Sequence, residues 1–196
     1  VQDEICSAYY DEDIVLVAAA GNEDSSKKHY PAALDEVIAV AATDQNDSKG
    51  IWGGASSPAS NYGCWVDIAA PGLDIFTAFV GGGYGNNNGT SLAAPHVSGV
   101  VAKIRSYYYG LPNTEVWERL AGARDDIPNK ELGVGRVNAF KALTLTYQQL
   151  LPSFIVLEKY INETNGNGDC SVDPGVTIKL VLTLKNKARA ATGVVG

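Results

Sequence analysis

Residues 13–22 read DIVLVAAAGN, a short uninterrupted apolar run that ends in Gly21 and Asn22. A run of this length and composition is typical of a strand buried on both faces of a parallel sheet. The pattern returns in EVIAVAATD (36–44) and, shorter, in CWVDIAAPG (64–72), where Pro-Gly closes the run. Three such strands in chain order predict an α/β fold built on a parallel sheet.

The segment SLAAPHVSGVVAKIRSYYYG (91–110) predicts a buried helix, because it is apolar and rich in small residues over about five turns. Pro95 falls in its first turns, where a missing N–H is tolerated best. The segment NTEVWERLAGA (113–123) predicts a second, surface helix that begins at Asn113 or Thr114.

The composition excludes several classes of function. The 196 residues, 45% of them hydrophobic, suffice for a sizeable core. A net charge of -7 argues against nucleic acid as a partner, because phosphate binding needs clustered Lys and Arg. No apolar run reaches the ~18 residues of a membrane span. The three cysteines are too few and too far apart for a disulfide framework, and Cys6 and Cys64 are expected to be small buried hydrophobes.

Ser91 stands between a loop of glycine and asparagine, GGGYGNNNGTS (81–91), and the first predicted helix. A serine nucleophile needs a base and preorganised donors for the oxyanion, and a helix N-terminus provides such donors. Asn22 follows the first predicted strand, at the sheet edge where α/β folds bind ligands, and its amide is a second candidate donor. Each residue considered alone has a simpler interpretation: Ser91 would cap a helix, and Asn22 would be a turn residue.

Taken together, these segments resemble the subtilisin-like serine proteases, or subtilases. NGTSLAAPHVSG (88–99) resembles the nucleophile motif of that family, and VAAAGNE (17–23) resembles its oxyanion-hole strand. Three further segments match in family order: YPAALDEVIAVAATD (30–44), WVDIAAPG (65–72) and GVGRVNAFKAL (133–143). The resemblance implies that residues 1–150 form the C-terminal part of a three-layer, parallel-sheet peptidase domain.

The resemblance also implies roles for individual residues. Ser91 would be the nucleophile of peptide-bond hydrolysis, and its own N–H and the Asn22 side chain would be the oxyanion donors. The substrate would be a polypeptide, and no cofactor would be required for the chemistry. The residues implied to line the substrate site are Ala19, Ala20, Gly21, Glu23, Tyr30, Ala32, Gly89 and Thr90.

The general base is the missing part of this scheme. In the family the triad runs Asp, His, Ser, and its histidine lies far upstream of the serine. His96 is expected to be a packing residue, and His29 a solvated loop residue. We therefore expect the catalytic His and Asp, with the N-terminal part of the domain, to precede residue 1, and we expect the chain alone to be inactive or nearly so.

Two alternatives stay open. One is a catalytically inactive subtilase-like domain that serves in binding or scaffolding. The other is an unrelated α/β esterase, but the G-x-S-x-G elbow of such enzymes is absent from GTSLA (89–93).

A structural Ca²⁺ is a further expectation. Asp67, with carbonyls near Ala32, Leu34 and Val37, resembles a weak cation site of the family, suited to Ca²⁺ or Na⁺. Asp169 and Asp173 belong to NGNGDCSVD (165–173), which begins like a calcium loop but lacks the glycine and glutamate expected of one, so an inter-strand turn is favoured.

After residue 150 the pattern changes. VTIKLVLTLKN (176–186) alternates apolar and polar residues behind an Asn/Gly/Asp turn cluster, which predicts the start of a truncated β-sandwich domain over 151–196. The family resemblance and the acidic charge favour a secreted protein.

Overall fold

A computed structural model describes residues 2–53 and 58–146, together with the backbone of four short strands between 155 and 185. The chain divides into two compact units, 1–145 and 146–196.

The first unit is built on a parallel sheet of three strands in the order β1-β2-β3. They are β1 (Leu16–Ala19), β2 (Val37–Thr43) and β3 (Ile68–Pro71). Every residue of the central strand β2 is buried, which explains its unbroken apolar sequence. The predicted α/β fold with a parallel sheet is confirmed.

Among the described residues, four α-helices accompany the sheet: α1 (Gln2–Tyr10), α2 (Thr90–Tyr107), α3 (Asn113–Gly122) and α4 (Ala139–Thr144). Helix α2 packs across all three strands. Its buried residues recur every three or four positions, as one face of a helix requires: Thr90, Ala93, Val97, Val100, Val101 and Ile104.

The opposite face of α2 is exposed in this chain, so the predicted buried helix is buried on one face only. The sheet covers only one side of the helix, which leaves the side chains of His96, Ser98 and Lys103 at the surface. His96 is therefore an exposed residue rather than a packing residue in this structure.

A β-hairpin stands where the sequence predicts a loop of glycine and asparagine. Strands β4 (Ile75–Ala78) and β5 (Tyr84–Asn87) pair antiparallel, with Ala78 opposite Tyr84. The glycines at 81–83 all adopt positive φ, a conformation that suits a tight turn at the tip. The sequence prediction missed the pairing because so few residues of β5 are typical strand formers.

The segment GVGRVNAFKAL (133–143) lies beside β3 and continues into α4. Ala69 of β3 donates its N–H to the carbonyl of Gly135 (2.8 Å) and accepts from Val137 N–H (2.9 Å). Burial would raise the pKa of Asp125, but hydrogen bonds from Lys141, Arg136 and Asn138 lower it to about 2. This network ties the end of the first unit to its sheet.

The cysteines differ from the prediction in one respect. Cys6 is a partly buried free thiol, hydrogen-bonded to Glu36 at 3.7 Å. Cys64 is exposed and disulfide-bonded. The prediction of a small buried hydrophobe is therefore wrong for Cys64, because the residue belongs to a surface turn before β3.

In the second unit the backbone forms two antiparallel pairs. Strand β6 (Ile155–Val156) pairs with β9 (Leu184–Lys185), and β7 (Tyr160–Glu163) pairs with β8 (Ile178–Val181). The predicted β-sandwich stays a prediction.

Candidate active site

Ser91 is the second residue of α2 and is exposed. Gly89, which precedes the helix with φ +147°, donates its N–H to the carbonyl of Gly72 just after β3 (2.8 Å), so the loop is fixed to the carboxyl edge of the sheet. A Cβ atom at Gly89 would lie 3.2 Å from Ser91 Oγ. Glycine at this position therefore keeps the space beside the hydroxyl clear.

The Asn22 side chain borders the same space. Its Oδ1 accepts hydrogen bonds from Thr90 N–H and from the Thr90 hydroxyl, both at 3.0 Å. The Nδ2 group of the amide is thereby directed away from Thr90. A Cβ at Gly89 would lie 3.7 Å from Asn22 Oδ1 and 3.8 Å from Asn22 Nδ2, so the amide and the Ser91 hydroxyl both lie near this one glycine. The structure brings together the two residues that the sequence predicts to be catalytic.

The backbone before Asn22 is joined to the same helix start. Gly21 has φ +103° and donates its N–H to Thr90 Oγ1 at 3.1 Å. Thr90 is fully buried, so its hydroxyl links the end of β1 to the start of α2. Thr90 and Gly21 were expected to line the substrate site. In this structure they hold Asn22 in place.

One carboxylate oxygen of Glu23 faces the backbone of its own loop. Glu23 Oε2 accepts from Asn22 N–H (2.9 Å) and from Asn61 Nδ2 (2.7 Å), and His29 Nδ1 lies 3.9 Å away. The side chain stays 58% exposed, so its other oxygen can still face solvent or a ligand.

The other predicted substrate-site residues lie along β1 and the loop after it. Ala19 is half-buried at the end of β1, while Ala20, Ala32 and Gly89 are buried. Tyr30 is 60% exposed, and the peptide bond between Tyr30 and Pro31 is cis. Their role in binding a substrate stays a prediction.

Both histidines make their contacts away from Ser91. His96 Nδ1 lies 2.8 Å from the carbonyl of Leu92 in the preceding turn of α2. His29 is exposed near Glu23, in the loop between β1 and β2. Neither position identifies a base for the serine.

Of the three aspartates predicted to bind a cation, Asp67 lies among the residues that the structure describes. Its Oδ2 accepts from the N–H of Ala39 in β2 at 2.8 Å. Burial, with a smaller contribution from the negative charge of Asp35, raises the pKa of Asp67 to about 7 against the opposing effect of that hydrogen bond. No group of three or more His, Cys, Asp or Glu suited to a metal occurs among the described residues, and Asp169 and Asp173 lie outside them.

Asn61 lies at this site although no motif in the sequence predicts it. This residue is 1% exposed, and its side chain makes four hydrogen bonds to the segment from Ala20 to Ser25. A single Asn in a loop gives no sequence signal for such a role, since Asn is common in turns.

The first unit is similar in sequence to known proteins. The sequence profile of the Subtilase family matches residues 2–135. The chain belongs to the subtilase family. That match contains Ser91, Asn22 and Asn61 alike.

Individual subtilases are similar over the same part of the chain. A thermophilic serine proteinase of Bacillus sp. (strain AK1) is 40% identical over 132 residues, which cover 66% of this chain and 31% of that protein. Thermitase of Thermoactinomyces vulgaris is 40% identical over 131 residues, covering 66% of this chain and 44% of thermitase. The chain thus spans less than half the length of either relative.

A solved protease structure from Pseudoalteromonas arctica PAMC 21717 has the same fold. The TM-score is 0.63 at 30% sequence identity, over 72% of this chain and 45% of that one. Within the part of the chain that the structure describes, no helix is long and apolar enough to cross a membrane.

Proposed function

We propose that this subtilase is a serine endopeptidase that hydrolyses polypeptides through an acyl-enzyme on Ser91. The observation that carries the proposal is the joint placement of Ser91 and the Asn22 amide near Gly89, in a chain of this family. Attack by Ser91 Oγ on a peptide carbonyl would form a tetrahedral oxyanion. Asn22 Nδ2 and the Ser91 N–H at the start of α2 would donate to it.

The proposal requires a base that neither His29 nor His96 supplies from its position. We propose that a His and an Asp from sequence beyond these 196 residues complete the triad, within an N-terminal part of the same domain. Strand β1 supports this partner, because it is half-buried and pairs on one side only among the described strands. A further strand on that edge would cover it.

The test is covalent labelling of the full-length protein with a fluorophosphonate probe, with the modified residue located by peptide mapping. We expect label on Ser91, its loss in Ser91→Ala, and no label on the 196-residue chain alone. Ser98→Ala is the matched control, because Ser98 is another exposed serine of α2 whose hydroxyl donates to the carbonyl of Ala94 (3.1 Å). Label should persist in that variant.

An unlabelled but well-folded full-length protein would contradict the proposal. The chain would then be a binding or scaffold domain of the family. We propose an extracellular location on the family resemblance and the acidic charge alone; detection of the protein in culture supernatant without cell lysis would test it.

We propose in addition that Asp67 contributes to a structural cation site, for Ca²⁺ or Na⁺. The support is the resemblance to a cation site of the family, together with a carboxyl on which burial and the like charge of Asp35 act against ionisation. A bound cation would compensate the negative charge.

At pH 8, where Asp67 is mostly ionised, millimolar Ca²⁺ should raise the melting temperature of the full-length protein by a few degrees, about 1 kcal/mol of stabilisation. Asp67→Asn removes the charge and should abolish this increase. Asp126→Asn, at an exposed aspartate elsewhere, is the control that should keep it. An equal response to Ca²⁺ in all three proteins would exclude Asp67 as a ligand.

A further inference from the structure

The Asn61 amide is buried and all of its hydrogen-bonding capacity is used on one loop. Asn61 Nδ2 donates to the carbonyl of Ala20 (2.9 Å) and to Glu23 Oε2 (2.7 Å). Asn61 Oδ1 accepts from Glu23 N–H and Ser25 N–H, both at 3.0 Å. An amide has two N–H donors and an oxygen with two lone pairs, and no other uncharged side chain offers this set in so short a length.

We propose that Asn61 is a positioning residue for the oxyanion donor Asn22. This inference rests on the proposed function. Asn61 touches neither the reacting serine nor Asn22 through its side chain, so its effect on the reaction is exerted through the loop.

The connection from Asn61 to Asn22 runs through Glu23. Glu23 Oε2 accepts from Asn61 Nδ2 and, at 2.9 Å, from Asn22 N–H. The main chain adds a second link, because Asn61 N–H donates to the carbonyl of Gly21 at 2.9 Å. The residues on both sides of Asn22 are therefore bonded to Asn61.

The fit between this side chain and the loop is tight. A Cβ atom at Gly21 would lie 2.4 Å from Asn61 Nδ2 and 2.5 Å from Glu23 Oε2. Such distances leave no room for a side chain at position 21. The amide and the carboxylate therefore pack directly against the backbone that leads to Asn22.

Asn61 is itself anchored to the core. The neighbouring Ser60 hydroxyl accepts from Ala42 N–H in β2 (2.9 Å) and donates to the carbonyl of Asn61 (2.9 Å). Both Ser60 and Asn61 are buried. The loop of Asn22 is thus connected through Asn61 to the most buried strand of the sheet.

Asn22 is consequently held at two points: Thr90 fixes its side-chain amide, while Asn61 and Glu23 fix its backbone. A donor stabilises an oxyanion most when its position is set before the charge develops. Loss of Asn61 should therefore weaken transition-state stabilisation more than it weakens substrate binding, which lowers kcat and leaves KM nearly unchanged.

The test is a double-mutant cycle in the full-length protein with a peptide substrate. Asn22→Ala should lower kcat about 10²–10³-fold, a magnitude known from subtilisin itself. Asn61→Ala should lower kcat about tenfold with KM changed less than about threefold, and should have almost no further effect in the Asn22→Ala background. An equal loss in both backgrounds, or a loss mainly in KM, would overturn the positioning role.

A second readout does not depend on activity. Asn61→Asp keeps the size of the side chain but places an oxygen opposite the carbonyl of Ala20 and the carboxylate of Glu23. Amide hydrogen exchange of residues 20–25 should become at least about tenfold faster in this variant. Asn129→Asp is the matched control, since Asn129 only accepts from Glu131 N–H (3.0 Å) and an aspartate can do the same.

These experiments separate the two proposals. A folded wild-type protein without Ser91-dependent activity would refute the proposed function and, with it, this role for Asn61. An active wild type whose Asn61 variants retain full kcat and unchanged exchange would refute the role of Asn61 alone. If Asn61→Ala does not fold, the comparison of kcat and exchange is made with Asn61→Asp and Asn61→Ser.

Discussion

Ser91 lies between two regions that are restrained in very different ways. On one side, the loop at 20–25 is hydrogen-bonded to the buried side chains of Thr90 and Asn61, and Glu23 adds a hydrogen bond within the loop. On the other side, the hairpin of β4 and β5 leads into the serine and displays large apolar side chains to solvent. The more strongly restrained side is the one that contains the proposed oxyanion donor.

The exposed face of the hairpin carries Phe76 and Tyr84, which are 71% and 73% exposed. Their rings stack with centroids 5.8 Å apart. At its base the hairpin is tied down by Asn88 Oδ1, which accepts from Asp74 N–H at 2.7 Å. A donor to a developing charge needs a fixed position, whereas an adjoining surface with few restraints can adapt to different polypeptides.

Of the two sides, the restrained one should show the larger effect when its hydrogen bonds are removed at Thr90. Thr90→Val keeps the shape of the side chain but removes the hydroxyl, which accepts from Gly21 N–H and donates to Asn22 Oδ1. The buried N–H of Gly21 would lose its partner at a cost of about 1–3 kcal/mol in the free energy of unfolding. In the full-length protein kcat should fall about tenfold, since the amide of Asn22 loses one of its two donors.

Thr90→Ser is the matched control, because it retains the hydroxyl and removes only a methyl group. Steady-state kinetics and thermal unfolding of both variants check the prediction. Equal kcat values for the serine and valine variants would show that the hydroxyl does not hold Asn22.

The smallest effect on stability is expected from substitutions in the hairpin. Phe76→Thr with Tyr84→Thr keeps strand propensity and removes the two exposed rings. Since these rings bury little surface, the free energy of unfolding should change by less than about 0.5 kcal/mol, measured by denaturant titration. The rate of Ser91 labelling by a small fluorophosphonate should also stay unchanged.

A loss of more than about 2 kcal/mol in the hairpin variant would contradict this view, because such a value is typical of buried rings. It would mean that another part of the full-length protein covers the hairpin. The contrast between the two sides of Ser91 would then be a property of this chain alone.

The sequence predicted the sheet well, because its strands are marked by composition. VIAVAAT in β2 is apolar throughout and entirely buried. Ser91 and Asn22 were predicted through motifs that span many residues, and both side chains lie near Gly89, while their catalytic roles stay predictions. Both predictions depend on patterns that are visible in the sequence itself.

What the sequence did not predict depends on partners that are distant in the chain. Asn61 meets its loop across about 40 positions, and nothing in its neighbours indicates this contact. Helix α2 was expected to be buried because it is rich in apolar and small residues, and its exposed face also contains small residues such as Gly99 and Ala102. Periodicity does not reveal which face of such a helix is covered.

The residues of the candidate active site leave the ribosome in the order of their positions in the chain. The loop with Asn22 is synthesised first, Asn61 about 40 residues later, and Thr90 and Ser91 about 30 residues after that. At the 5–20 residues per second typical of translation, several seconds separate the first piece from the last. Until residue 91 has left the ribosome, the nascent chain has neither the nucleophile nor the hydrogen bonds that hold the loop of Asn22. The proposed peptidase therefore cannot act on neighbouring nascent chains before its own domain is made.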